Sequence, residues 1–116
     1  MRVAILCTMA MLFAGMSASA QTQKTYKGEI MDSACAAGGS HAGMMKDHPG
    51  MTAKDCTNGC VQHGAKYVLY DADSKTVYQL DDQKKPVQYA GMKVAVMGSL
   101  DDSSKTIHVA SIKGQS

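Results

Sequence analysis

The sequence predicts a small, mainly β domain of the α+β class: a five-stranded barrel with one short Cys-bearing helix inserted after the first strand. Three observations carry that expectation. Beyond an N-terminal export segment, five short runs alternate apolar, β-branched or aromatic residues with polar ones, the period-2 pattern of half-buried strands. Four of the five pair off across short Asp/Ser-rich turns, as antiparallel hairpins do. Between the first run and the second lies residues 32–64, a stretch rich in Cys, His and Met whose first part has neither a strand nor a helix period.

The first strand, residues 25–31, places Tyr26, Gly28 and Ile30 on one face, and Gly28 within it predicts a bulge or a close backbone approach. Residues 66–70 and 75–80 form a hairpin around Asp71-Ala72-Asp73-Ser74, and residues 92–100 and 105–112 form another around Asp101-Asp102-Ser103-Ser104. The two turns echo each other, each opened by an Asp expected to accept a local backbone hydrogen bond. In the fourth strand Met92, Val94, Val96 and Leu100 share a face. Between the hairpins, residues 86–91 read as one helical turn with Pro at its start and Gly at its end. Five strands and one or two helices in so short a chain fit a partly closed barrel of the OB type.

Residues 1–20 carry a lone Arg2, an apolar run over 3–15 and a closing Ser17-Ala18-Ser19-Ala20. That is the layout of a secretory signal peptide cleaved after Ala20, leaving residues 21–116 as a single domain. The apolar run is shorter than the roughly 20 residues of a membrane span, and no later stretch approaches that length. No lipobox surrounds Cys7. A soluble, monomeric, periplasmic or secreted protein is therefore expected. Without Arg2 the charge is close to neutral, eleven lysines against ten acidic residues, and no basic patch points to nucleic acid. The chain has no Trp, and its single Phe lies in the signal segment, so a stacking platform for oligonucleotides is not expected.

Export makes the remaining cysteines informative. Once Cys7 is removed, Cys35, Cys56 and Cys60 are left, an odd number, so at least one sulfur is free, paired with another chain or bound to metal. Thr52-Ala53-Lys54-Asp55 is a capping-box pattern and predicts a helix over residues 53–63 that stops at Gly64. Cys56, Cys60 and His63 then share one helix face. The helix has little to bury besides Ala53 and Val61, so its cysteines are expected to tie it down.

Two chemistries fit these residues. Helical positions four apart hold their Cβ atoms about 5–6 Å apart, against about 3.8 Å in a disulfide. A bridge would therefore join Cys35 to Cys56 or to Cys60, stapling helix to strand in an oxidising compartment. Alternatively Cys35, His41, Cys56 and Cys60 hold a metal, a set that suits zinc as a closed site, or copper(I) with help from Met44, Met45 or Met51. Redox catalysis is less favoured, because the spacing is C-x3-C and not C-x2-C, and covalent haem has no C-x2-C-H to use. His48 and His63 read as surface residues and His108 as an outward strand residue. No catalytic constellation stands out.

Asp32-Ser33-Ala34-Cys35, His41, Cys56-x3-Cys60-Val61, Gly64-Ala65-Lys66-Tyr67-Val68-Leu69 and Ala90-Gly91-x-Lys93-Val94-x-Val96-x-Gly98-x-Leu100-Asp101 together resemble a family of uncharacterised exported bacterial domains. The resemblance spans nearly all of the mature chain. It implies a small β-barrel with a Cys/His-bearing insert after the first strand, and no established activity. Ala36 departs from the expected Gly, and the Met-rich stretch from Met44 to Met51 is particular to this chain. The sequence thus points to a non-enzymatic exported domain that binds copper or zinc through Cys35, His41, Cys56 and Cys60. The alternative is a disulfide-stapled envelope module that binds a protein or glycan without metal.

Overall fold

The structure is a computed structural model and describes residues 22–115; the segment expected to be a signal peptide lies outside the described residues. The elements follow the order β1 (Lys24–Asp32), α1 (Ser33–Ala37), α2 (Ala42–Asp47), α3 (Ala53–Gln62), β2 (Tyr67–Asp71), β3 (Thr76–Leu80), a 3₁₀ turn (Lys85–Tyr89), β4 (Lys93–Asp101) and β5 (Thr106–Gly114). The expected class and five strands are present. One helix was expected in the insert, and three are found. Residues 34–51 show no periodicity because α1 and α2 are only five and six residues long, too short for a repeating apolar face to register.

The strands close into a barrel in the order β1-β2-β3-β5-β4, with β4 returning to β1. Closure removes the free edges that a small sheet would otherwise expose. Every pairing is antiparallel except β3 with β5, which meet in parallel at Gln79–Thr106 and Leu80–Ile107. This short seam is reinforced from Asp81, whose main-chain N–H donates to the Ile107 carbonyl at 3.2 Å. Its carboxylate accepts from the Val109 N–H at 2.8 Å and lies 3.1 Å from His108 Nδ1. Those bonds hold the Asp81 carboxyl below its ordinary value, the Val109 amide contributing most.

Ile30, Leu69, Leu80, Val94, Val96, Ile107 and Ile112 fill the interior. Tyr26 and Tyr78 pack against this core with ring centroids 5.3 Å apart. The shared face expected for Met92, Val94, Val96 and Leu100 holds for all but Met92, Leu100 packing on the same core as the two valines. Val94 and Val96 are fully buried, whereas Met92 is exposed and lies before the strand begins. A register shift opposite Met97 and Gly98 leaves Ala110 of β5 unpaired, a bulge that moves the inward-facing positions of β5 from Ile107 and Val109 to Ile112 and leaves the alternation of β4 intact. The echoing turns behave alike: Asp71 accepts from the Asp73 N–H and Asp101 from the Ser103 N–H, each at 3.0 Å. Lys75 and Lys105 both take positive φ, 53° and 52°, at matching places.

Adjacent residues of β1 and β2 point to opposite sides, and this division seats the insert. Ile30 and Leu69 enter the barrel, while Met31 and Val68 face outward and bury Ala36 of α1 against them. Gly28 makes the close approach expected of it: a Cβ there would collide with the backbone carbonyl of Tyr70. The helix α3 carries the full capping box, with Thr52 and Asp55 each accepting from the other's backbone N–H. It is tied down by more than its cysteines. The Tyr67 hydroxyl donates to Asn58 Oδ1 at 2.7 Å, and Val61 packs on the barrel core. Gly91, at φ +73°, lets the chain after the 3₁₀ turn run against the first turn of α3, where a Cβ would stand 2.5 Å from the Lys54 nitrogen and 2.6 Å from the Ala53 carbonyl carbon. Among the described residues no helix is long and apolar enough to cross a membrane.

Two outcomes follow from these contacts. Gly91→Ala combines a left-handed backbone with that collision and should destabilise by about 2 kcal/mol or more, read by chemical denaturation. Asp81→Ala should cost about 1 kcal/mol at neutral pH by loosening the β3–β5 seam. Because folding lowers the Asp81 carboxyl below its ordinary 3.8, its contribution is whole above that value and fades as pH falls through the lower folded one. The stability gap between wild type and variant should therefore be constant at neutral pH and shrink only in strong acid.

Candidate metal centre

Asp32 ends β1 and caps α1. Its backbone is extended, φ −80° and ψ 153°, and its Oδ2 accepts the Cys35 N–H at 2.7 Å. The cap brings a carboxylate and a thiol three residues apart to the same end of the helix. Asp32 is fully buried, and its second oxygen, Oδ1, has no hydrogen-bond partner. Past α1 the chain folds back on itself: the Gly38 and Ser40 N–H groups both return to the Cys35 carbonyl, and Gly39 takes φ +77°. Ser40 Oγ then accepts the Ala42 N–H at 2.9 Å and starts α2. His41, between the two helices, is thereby turned inward to 6% exposure, with neither ring nitrogen hydrogen-bonded. Its nearest charged neighbour is Glu29, whose Oε1 lies 3.7 Å from Nε2, beyond hydrogen-bond reach.

Cys56 enters from the opposite side. It lies in the first turns of α3, is buried, and holds its sulfur 3.7 Å from that of Cys35. One ligand atom from each of Asp32, Cys35, His41 and Cys56 lies within 4.8 Å of every other, near enough to hold one metal ion. The sulfur separation fits that use, because two sulfurs each about 2.3 Å from a tetrahedral ion stand about 3.8 Å apart.

The electrostatics agree with the geometry. Burial pushes the Cys35 thiol well up, and the neighbouring Cys56 thiol and Asp32 carboxylate push it further. The Cys60 thiol is raised too, by burial first and then by the charges of Asp32 and Cys56. Among the described residues Asp32 forms no ion pair with any lysine. Orphaned Asp32 Oδ1 and both orphaned His41 nitrogens cost folding free energy as they stand, and a bound metal could take up one carboxylate oxygen and one ring nitrogen.

Of the four ligands expected from sequence, the structure brings together Cys35, His41 and Cys56. Cys60 is not among the four mutually close residues. It sits one turn further along α3, half-buried, and lines a surface depression. Asp32 was missed. Its signal was present in Asp32-Ser33-Ala34-Cys35, where an N-cap Asp three residues before a Cys brings the two side chains together. The expected disulfide is not formed: Cys35, Cys56 and Cys60 are all free, and the 3.7 Å between Cys35 and Cys56 far exceeds the roughly 2.05 Å of an S–S bond. His48 and Met45 are exposed and stand outside the cluster. His108 points outward on β5, as expected, and pairs with Asp81.

A histidine kept for packing loses stability when replaced, whereas one kept for a ligand does not. His41→Leu should leave the chelated protein as stable as wild type or about 1 kcal/mol more stable, because it removes two unsatisfied buried nitrogens. Urea denaturation in the presence of chelator measures this, and a loss of stability would mark His41 as a structural residue. Comparison with protein-family models, with curated proteins and with solved structures finds no match, so geometry and chemistry alone carry the functional reading.

Proposed function

We propose that this protein is an exported, non-enzymatic barrel that binds one soft or borderline metal ion, copper or zinc, at Asp32, Cys35, His41 and Cys56. The observation that supports this reading most is that Asp32 and His41, each with unsatisfied buried atoms, and two free thiols each bring a ligand atom within 4.8 Å of one another. A structural cluster would have its polar atoms paired; a ligand set awaiting a cation has them pointing at a common centre. Thiolate and imidazole donors favour copper and zinc over calcium or magnesium, whose ligands are oxygens.

The second reading is the disulfide-stapled envelope module. It is favoured by the short approach of the Cys35 and Cys56 sulfurs, 3.7 Å apart. One preparation separates the two. The full chain is exported in a host with an oxidising periplasm, and metal content and thiols are measured on the same sample. About one buried metal per chain, with three thiols titratable after chelation, is the expected result. No metal and a single free thiol would replace it with the disulfide module. Cys56→Ser should abolish retention of the buried ion, and chelation of the wild type should lower its melting temperature, since ligand binding to the folded state alone stabilises it.

A further inference from the structure

Outside the buried cluster, the insert presents a second set of soft donors. Ser33, Ala34, Met44, Cys60, His63 and Ala65 line a shallow depression of ≈ 500 Å³. Three elements meet there: the start of α1, the exposed thioether of Met44 on α2, and the end of α3, whose C-cap is His63. Every lining residue larger than serine is a metal-ligand type, one thioether, one thiol and one imidazole. The remaining lining residues are Ser and Ala, so no carboxylate is present to attract a hard cation and no lysine to repel one. Neither the Met44 sulfur nor the His63 ring has a hydrogen-bond or ion-pair partner among the described residues. Cys60 stands one helical turn from Cys56 on α3, so the depression lies beside the buried centre.

We propose that Met44, Cys60 and His63 form an outer copper(I) site, one thiol away from the buried one. The metal follows from the donors. A thioether is a ligand for copper(I) and a poor one for zinc, and copper(I) accepts three-coordinate sites of two sulfurs and one nitrogen, the donor types that line this depression. Imidazole and thiol complete the set without any oxygen donor. The inference rests on the reading of Asp32, Cys35, His41 and Cys56 as a metal centre, and it narrows the cargo to copper(I). It also gives Cys60, which is not one of the four buried ligands, a role of its own.

The test is an anaerobic titration of the reduced full chain with copper(I) against a chromogenic copper(I) chelator, on wild type and on the double variant Met44→Leu/His63→Gln. Both positions are exposed, so the variant keeps the fold, which circular dichroism checks. Wild type should take two copper(I) per chain and the double variant one. The same number of copper ions in both proteins would overturn the outer site while leaving the buried centre standing. No copper in either would overturn both readings.

Discussion

The buried carboxylate of Asp32 is the constraint on which the rest of the insert depends. One oxygen is committed to the Cys35 amide and fixes the direction in which α1 leaves the barrel. The other is left without a partner in a desolvated space shared with two thiols and an imidazole. A carboxylate in that position is costly unless a cation or a donor compensates it. The chain nevertheless spends its strand end, its sharpest turn and its best-capped helix on assembling that group. The cluster that results is near enough to hold one metal ion.

The barrel's contribution is to supply two independent surfaces from the same strands. Alternation sends Ile30 and Leu69 inward and Met31 and Val68 outward, so β1 and β2 support a closed core and a docking face for the insert at once. Closure through the short β3–β5 seam keeps those strands in register, and Gly28 and Gly91 allow the backbones to approach as closely as the design requires. Because the strands supply nearly all of the core and the insert adds Val61 at its edge, the rest of the insert is free to carry unsatisfied polar atoms that a core element could not. Stability and ligand chemistry are thus housed on opposite faces of the same two strands.

The fold and the site differed in how far they could be read ahead of the structure. Strand periodicity, the two Asp-opened turns and the Thr52/Asp55 capping box are local patterns, written within a few residues of each other, and each appears where its residues place it. The short helices α1 and α2 left no periodic trace, because fewer than two turns cannot show a face. Likewise the bulge at Ala110 depends on the partner strand and not on β5 alone.

The amino-acid sequence by itself determined the ingredients: five alternating strands, a capped helix, and soft ligands concentrated in one insert. Only the tertiary structure decided which of them meet. Cys35 and Cys56 are brought within 3.7 Å across 21 residues of chain, and His41 is turned in beside them by the glycines that follow α1. Cys60, which shares a helix face with Cys56, is left one turn further out on the rim, and Asp32, which reads as a mere strand end, becomes part of the centre. The physical reason is that secondary structure follows from neighbours along the chain, whereas a ligand set is a coincidence of side chains in space, set by how the insert packs on β1 and β2.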